Sequence, residues 1–173
     1  MRRSPSGSAD GVDAPTVWTI GHGTRSIDEL AGLLHEAGVE TLIDVRRFPT
    51  GKRQPHLSGE ALAESMPATG IAYEWWGEAL GGRRTPSPDA RASTGWRNPA
   101  FAGYAEYMAT PAFRDGLALL EERARAGERL AIMCAETVWW RCHRRLVADA
   151  LVRDGFAVEH LIERAPGRPH PAR

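Results

Sequence analysis

Short apolar runs alternate along the chain with longer stretches in which apolar residues recur every three or four positions. Each apolar run has the length of a strand and is bounded by polar residues, which predicts strands at residues 16–21, 40–45, 70–76, 129–134 and 156–162. Strands alternating with helical stretches are typical of a parallel sheet with helices on both faces. The pattern therefore predicts an α/β fold: a single-domain, Rossmann-like, three-layer α/β/α architecture with a mainly parallel sheet of about five strands.

The helical stretches carry their own start signals. Helices are predicted at residues 26–38, 58–68, 99–109, 111–126 and 140–154. Ser26-Ile-Asp-Glu29 has the form of a capping box at the start of the first helix. Pro67 weakens the second helix, because a proline inside a helix removes a hydrogen bond. The connection between residues 80 and 98 is long and rich in Pro, Ser and Arg, so we interpret it as a functional loop or lid.

The two ends of the chain lack a clear pattern. Residues 1–15 contain no apolar signal-peptide core and are predicted to be a disordered leader, and residues 164–173 are predicted to be a flexible tail. The domain is thus expected to span residues 16–163. No run approaches the roughly 18 consecutive apolar residues of a membrane helix. Two cysteines do not make a disulfide framework, so we expect a cytoplasmic location and no membrane partner.

Polar or aromatic residues follow the ends of four predicted strands. They are His22 after the first strand, Asp44 and Arg46 at the second, Trp75 and Trp76 at the third, and Cys134 and Glu136 at the fourth. The carboxyl ends of parallel strands lie at one edge of a sheet, where α/β proteins bind ligands. We therefore expect these residues to converge on one cleft.

Cys134 and Glu136 are the first candidates for catalysis. Cys134 is either a nucleophile, activated by nearby arginines or by the next helix's N-terminus, or a packed core thiol. Glu136 is either a general acid or base, or the salt-bridge partner of Arg141 or Arg144.

His22 and Asp44 complete the predicted catalytic set. Asp44 interrupts an apolar strand, where a charge must be paired, and it serves either catalysis or the anchoring of its loop. His22 lies between two glycines that permit close approach of a bound group, and it is a general base, a ligand contact or a loop filler.

The net charge is zero, but three segments, 44–56, 81–97 and 141–145, each carry an excess of three positive charges. A basic rim at one edge favours an anionic ligand, either a small molecule or nucleic acid. The predicted anion-binding residues are Arg46, Arg83, Arg84 and Arg144. Of 22 basic residues 21 are arginine, so genome composition is an alternative explanation.

Aromatic residues lie near these arginines along the chain. They are Tyr73, Trp75, Trp76, Trp96, Trp139 and Trp140. Aromatic faces beside arginine suit the stacking of a base and the binding of its phosphate, and Trp75 and Trp76 are the best placed. Core packing is the alternative for some of them.

A metal site is a further alternative, and no cofactor is predicted as such. Cys134, Cys142, His143 and His22 would supply the ligands for zinc or iron, although no Cys-x-x-Cys spacing supports them. A redox disulfide between Cys134 and Cys142 is a weaker alternative.

Six motifs follow one another along the chain: Thr19-Ile-Gly-His22, Asp44-Val-Arg46, Gly70-Ile-Ala-Tyr73, Leu80-Gly-Gly82, Met133-Cys-Ala-Glu136 and Cys142-His-Arg144. In this order they resemble the bacterial domain-of-unknown-function family 488. The resemblance covers about residues 17–162. It implies a compact α/β cytoplasmic domain and supplies no reaction.

A fainter likeness connects Leu42-Ile-Asp-Val-Arg46 to rhodanese-type sulfurtransferases. A Cys-x5-Arg anion loop would need arginine at position 140, where the chain has Trp140. This difference argues against persulfide or phosphatase chemistry.

Three functional hypotheses follow. The first is an enzyme that acts on an anionic nucleotide, nucleobase or nucleic-acid-derived substrate in the cleft at the strand ends. The second is a non-catalytic module that binds nucleic acid or a small anion. The third is a Cys/His metalloprotein.

Overall fold

The computed structural model describes residues 13–163 and 166–171. Its centre is a six-stranded sheet in the order β3-β2-β4-β1-β5-β6. The strands are β1 (Thr16–Gly21), β2 (Thr41–Asp44), β3 (Ala72–Trp75), β4 (Leu130–Cys134), β5 (Ala157–Leu161) and β6 (Arg168–Pro169). The first five are parallel, and β6 runs antiparallel to β5. The predicted mainly parallel α/β fold is confirmed.

The helices connect these strands across both faces of the sheet. They are α1 (Ile27–Glu36), α2 (Gly59–Ala68), α3 (Gly77–Leu80), α4 (Ala90–Thr94), α5 (Pro99–Tyr107), α6 (Pro111–Arg125) and α7 (Arg144–Arg153). Short 3-10 turns occupy Pro55–Leu57 and Trp139–Arg141. Ser26 and Glu29 form the predicted capping box. Pro67 lies in the last turn of α2, close to the point where the helix ends.

Two predicted segments differ from the structure in their interior. The connection between residues 80 and 98 contains the short helix α4. The helix predicted from residue 140 begins at Arg144, because residues 139–141 form a separate turn and Cys142 has extended backbone. Cys142 therefore lies just before the N-terminus of α7.

The sheet separates two apolar cores. Leu30, Leu34 and Leu62, from α1 and α2, pack on one face against residues such as Ile20 and Leu42. On the other face, α5, α6 and α7 pack against the alternate strand residues. The residues that cover this second face include Tyr104, Phe113, Leu120 and Leu151. We call these the α1/α2 face and the α7 face.

The connections that follow the neighbouring strands β1 and β4 pass over opposite faces of the sheet. The connection after β1 passes over the α1/α2 face to β2, and the connection after β4 passes over the α7 face to β5. Neighbouring strands whose connections leave to opposite faces form a topological switch point, where α/β folds place their ligand crevices. His22 and Cys134 lie at this point.

The C-terminal segment is more ordered than the predicted flexible tail. Arg168 and Pro169 pair with β5, and His170 is buried. The physical reason is tertiary, because a hydrogen bond joins the His170 ring to His160 on β5 at 3.0 Å. Residues 164, 165, 172 and 173 lie outside the described residues.

The predicted leader falls mostly outside the described residues, since the description begins at Asp13. The Pro15 carbonyl accepts a hydrogen bond from the Ala157 N–H at 2.9 Å, just before β1 begins. In the described part of the chain, every helix is too short or too polar to cross a membrane.

Candidate functional site

The loops after β1 and β4 pack directly against each other. The His22 N–H donates to the Cys134 carbonyl at 2.9 Å, which extends the strand pairing beyond β1. A Cβ atom on Gly21 would lie 1.8 Å from the Glu136 carbonyl oxygen, and one on Gly23 would lie 2.6 Å from a hydroxyl of the same loop. The glycines expected to admit a bound group instead admit the neighbouring loop.

The predicted site residues share one edge of the sheet but lie on two faces. Side chains alternate along a strand, and Ile20 and Leu42 belong to the α1/α2 face. His22 and Asp44, two residues further on, therefore point to that face as well. Cys134 belongs to the core of the α7 face. The two sets of predicted residues thus form separate clusters rather than one cleft.

Asp44 is the centre of the first cluster. It is fully buried, and its Oδ1 accepts hydrogen bonds from the Arg46 backbone N–H at 3.0 Å and from Arg46 Nε at 2.9 Å. Its Oδ2 accepts from Arg46 Nη2 at 2.7 Å and from the Tyr73 hydroxyl at 2.6 Å. Burial and then the Asp44 charge raise the pKa of Tyr73 well above its usual range, so the hydroxyl stays a donor. These bonds make Asp44 the anchor of the loop after β2.

His22 joins the same cluster. Arg46 Nη1 lies 3.0 Å from His22 Nε2, which must accept because a guanidinium only donates. The other ring nitrogen, Nδ1, then donates to the Gly23 carbonyl at 2.9 Å. Burial, followed by the neighbouring Arg46 charge, lowers the pKa of His22 despite that carbonyl bond. His22 is thus a buried neutral imidazole with both nitrogens bonded.

The four predicted anion-binding arginines differ in how exposed they are. Arg46 is bound to Asp44 and His22, as described above. The Arg84 guanidinium donates to the Glu78 carbonyl at 2.5 Å and lies 3.7 Å from the Tyr107 ring centroid, and Arg144 is 1% exposed. Only Arg83, among the four, has an exposed side chain, and its φ of 56° is unusual for a residue with a Cβ.

Arg47, which the sequence did not single out, lies beside Arg83. Its Nη1 donates to the Arg83 carbonyl at 2.9 Å. A Cβ on Gly82 would lie 2.9 Å from the His143 ring, so this loop packs next to the cysteine segment. Arg47 and Arg83 therefore border the α7 face of the edge.

The two tryptophans predicted to stack a base differ in their exposure. Trp75 is 44% exposed, and its indole N–H donates to the Arg46 carbonyl at 2.8 Å. Trp76 packs against the α7-face core and donates to Glu74 at 3.2 Å. Trp75 is therefore one of the exposed aromatic side chains in the loops at this edge, with Phe48 at 56% and Trp140 at 44% exposure.

Cys142 receives several hydrogen-bond donors. Its Sγ lies 2.6 Å from Cys134 Sγ, 3.4 Å from the Arg144 backbone N–H and 3.5 Å from His143 Nδ1. Burial alone would raise the pKa of Cys142, but the Cys134 hydrogen bond and the His143 and Arg144 charges outweigh it and lower the pKa well below the ordinary value. These neighbours favour ionisation of Cys142 over ionisation of Cys134.

Cys134 has the opposite character. It is 3% exposed, and burial, followed by the contact with Cys142, raises its pKa well above the ordinary value. Its thiol is within reach of the Glu136 carbonyl at 3.8 Å as well as of Cys142. Of the two sulfur atoms, Cys142 rather than Cys134 therefore has the surroundings that favour a thiolate.

His143 is oriented by the backbone. Its Nε2 lies 3.2 Å from the Val45 carbonyl, to which it donates, so Nδ1 faces Cys142. A base next to a thiol, itself held by a third group, is the arrangement that activates a nucleophile.

Arg144 places a buried positive charge beside the sulfur atoms. Its guanidinium donates to the Thr19 hydroxyl at 3.1 Å and to the carbonyls of Glu136 and Thr137. In the described residues, no carboxylate forms an ion pair with it. A buried charge without a counter-charge is costly, so Arg144 favours a negative charge on a neighbouring sulfur atom.

A chain of hydrogen bonds runs from Arg144 to the protein surface. Thr19 Oγ1 lies 2.6 Å from His160 Nδ1, and His160 Nε2 lies 3.0 Å from His170 Nδ1. His170 Nε2 in turn lies 2.6 Å from Asp149 Oδ1. With both imidazoles neutral, one assignment of donors and acceptors satisfies every group: the Thr19 hydroxyl donates to His160, His160 donates to His170, and His170 donates to Asp149. Trp139 stacks on His160, with ring centroids 4.5 Å apart.

The chain of hydrogen bonds through His160 predicts that the protein loses stability in acid. Burial, and then the neighbouring His170 and Arg144, lower the pKa of His160 to about 3. Between about pH 6.5 and pH 3 the unfolded chain binds a proton that folded His160 does not, so the free energy of unfolding falls as the pH falls, by up to about 1.4 kcal/mol per unit. Urea unfolding across this range measures the slope.

A His160→Gln variant is the control for that slope. It lacks the titrating imidazole, so its stability is expected to be lower at pH 7 but to depend less on pH. An equal slope in both proteins would show that other groups cause the acid sensitivity.

The predicted metal set is divided between the two faces, since His22 lies with Asp44 and the cysteines lie on the α7 face. Within residues 13–163 and 166–171, no group of three or more His, Cys, Asp or Glu side chains is arranged to hold a metal ion. The geometry therefore does not favour the four-residue set.

Glu136 contributes to the site through its backbone. Its side chain is exposed, while its carbonyl accepts from Arg144 and lies near Cys134. Of the two arginines considered as salt-bridge partners of Glu136, Arg144 binds the Glu136 carbonyl instead of its carboxylate.

Besides Arg47, the residues that sequence reasoning missed include those of the histidine chain. Thr19 and His160 are partners in the register of β1 and β5, which no local pattern reveals. His170 was placed in the tail, and Asp149 lies on a predicted helix with no local signal of its role.

Comparison with known proteins places the chain in a family. The model described as Domain of unknown function DUF488 matches residues 26–151, which include both cysteines, Asp44 and Arg46. Neither the curated proteins nor the solved structures contain a significant match. The matched segment covers more than half of the chain, so the protein belongs to the DUF488 family.

Proposed function

We propose that the protein is an enzyme in which Cys142 is the nucleophile and His143 its proton partner, acting on an anionic substrate derived from a nucleotide or nucleic acid. The observation that carries this proposal is the convergence of Cys134, His143 and the Arg144 N–H on one sulfur atom. The position just before α7 adds to it, because a helix N-terminus stabilises negative charge.

The thiolate supplies the bond-forming electron pair. His143 Nδ1, at 3.5 Å, takes the thiol proton when Cys142 ionises and can return it to a leaving group. Before the reaction, Arg144 stabilises the thiolate. When the sulfur has formed a bond to the substrate, the Arg144 charge is still stabilised by the Glu136 and Thr137 carbonyls, to which the guanidinium donates.

The open surface at this edge of the sheet supports the substrate class. Arg47 and Arg83 offer positive charge near His143, and the Arg47 guanidinium lies 5.2 Å from the exposed Phe48 ring, while Trp75 offers an aromatic face at the same edge on the side of Asp44. Arginine with an aromatic face binds a phosphate and stacks a base. Cys142 is 7% exposed and Gly82 covers His143, so the segment 81–98 must move for a large substrate to reach the sulfur.

Alkylation tests the thiolate. With limiting iodoacetamide near pH 7, Cys142 is expected to be modified before Cys134, because only a thiolate reacts and its pKa is lowered. Peptide mapping by mass spectrometry gives the ratio. The Cys134→Ser variant should keep this fast reaction and Cys142→Ser should lose it; preferential modification of Cys134 would refute the assignment.

Ligand screening tests the substrate class. Nucleotides, nucleobases, short oligonucleotides and other anions are added to the protein, and a bound ligand raises the melting temperature. Arg83→Gln is expected to weaken the binding of a hit by about tenfold, the loss of one charge-assisted contact. Arg114→Gln, an exposed arginine on α6, is the matched control and should bind normally. Equal affinity in both variants would remove Arg83 from the site.

A non-catalytic binding module is the second candidate, because Phe48 and Trp75 are exposed beside basic residues. Turnover of a screening hit separates the two. An enzyme loses turnover in Cys142→Ser while the ligand still raises the melting temperature, whereas a binding module shows no turnover in either protein.

A further inference from the structure

The two cysteines of the chain form a contact pair. Cys134 ends β4 and Cys142 precedes α7, yet their sulfur atoms are 2.6 Å apart and both are buried on the α7 face. This separation is longer than the roughly 2.05 Å of a disulfide bond, and only a small movement is needed to close it.

The surroundings make the two sulfur atoms unequal. Cys142 accepts a hydrogen bond from the backbone N–H of Arg144 and faces the His143 ring, whereas Cys134 faces Cys142 and the Glu136 carbonyl and has no positively charged or N–H donor of its own among these contacts. An oxidant therefore reacts at Cys142, and Cys134 is the thiol held ready beside it.

We propose that Cys134 and Cys142 are a reversible redox pair, in which a peroxide oxidises Cys142 and Cys134 resolves the product as a disulfide. This inference rests on the thiolate assigned to Cys142 in the proposed function, but it requires no substrate.

The chemistry balances in two steps. The Cys142 thiolate attacks one oxygen of hydrogen peroxide; the S–O bond forms, the O–O bond breaks and hydroxide leaves. The Cys134 sulfur then attacks the Cys142 sulfenic acid; the S–S bond forms, the S–O bond breaks, and the hydroxyl leaves as water with the Cys134 proton. Two electrons pass from the sulfur pair to the peroxide, and a dithiol reductant returns them.

The disulfide has two consequences at the site. It removes the thiolate that balances Arg144, so the proposed nucleophile is switched off. It also protects Cys142 from irreversible oxidation to the sulfinic acid, since the sulfenic acid is consumed by a neighbour already in contact.

The test uses the whole chain, reduced and then treated with one equivalent of hydrogen peroxide. After quenching, unfolding and alkylation with iodoacetamide, we expect an intact mass lower by two hydrogen atoms and no alkylated cysteine, with both thiols recovered after dithiothreitol. A chain that gains oxygen atoms, a disulfide-linked dimer, or a chain with both cysteines still alkylated would overturn the proposal.

Two variants identify the roles. In Cys134→Ser the sulfenic acid has no partner, so dimedone should label Cys142 and further peroxide should add more oxygen. In Cys142→Ser, Cys134 should remain reduced under the same treatment. Equal oxidation of Cys134 in this variant would contradict the assignment of Cys142 as the reactive sulfur.

The wild-type measurement decides the proposal even if a variant fails to fold. Alkylation without peroxide reports on the thiolate, and peroxide treatment reports on its resolution by Cys134. A failure of the thiolate assignment is therefore distinguishable from a failure of the redox pair.

Discussion

Gly21→Ala is expected to lose more than about 4 kcal/mol of stability, which would leave little folded protein at 37 °C. The added Cβ would lie 1.8 Å from the Glu136 carbonyl oxygen and 2.6 Å from the Thr137 Cα, so the backbones of the two loops would have to separate. Separation would also break the hydrogen bond from His22 to the Cys134 carbonyl. Urea unfolding followed by circular dichroism measures the loss.

Gly32→Ala is the matched control for that variant. Gly32 lies in α1, and nothing is within 4 Å of a Cβ built there. Alanine is favoured over glycine in a helix by up to about 1 kcal/mol, so this variant should be slightly more stable. If Gly21→Ala were as stable as Gly32→Ala, the two strand-end loops would not be in the close contact described.

Asp44→Asn is expected to cost about 3–5 kcal/mol, the usual penalty for removing one partner of a buried ion pair. The amide has nearly the same shape as the carboxylate, but it leaves the Arg46 guanidinium, which is 10% exposed, without its counter-charge. It also replaces one acceptor oxygen with an NH₂ group that faces donors. Thermal and urea unfolding measure the difference from the wild type.

The ion pair between Glu74 and Arg123 provides the comparison. Its side chains are 36% and 21% exposed, so water already solvates part of both charges. Glu74→Gln is expected to cost less than about 1 kcal/mol. Similar losses in the two variants would mean that burial of Asp44 does not set its contribution.

Asp44 illustrates how far the sequence could carry the argument. A carboxylate in an apolar strand had to be paired, because an unpaired buried charge is too costly. Arg46, two positions further along the chain, was a partner that the sequence itself offered. That the carboxylate also binds the Tyr73 hydroxyl depends on the pairing of β2 with β3. The choice between catalysis and anchoring therefore needed the strand order.

Cys142 illustrates what local reasoning could not reveal. In the sequence, Cys134 ends a buried strand and Cys142 belongs to a basic, helix-forming run, which favoured position 134 for the nucleophile. The structure brings the two sulfur atoms together and supplies Cys142 with a helix N-terminus, an imidazole and a buried arginine. Thiolate character is a property of these neighbours, which the run of residues does not contain.

By itself, the sequence determined the α/β class, the helix that begins at Ser26, and the polar residues at the edge of the sheet, because hydrophobic periodicity and capping act over a few neighbouring residues. Only the tertiary structure decided the face to which each polar residue points and which arginines stay exposed. It also decided that Thr19, His160, His170 and Asp149 form one chain and that Arg168–Pro169 forms a sixth strand. These features depend on strand order and register, which are set by contacts between residues far apart in the chain.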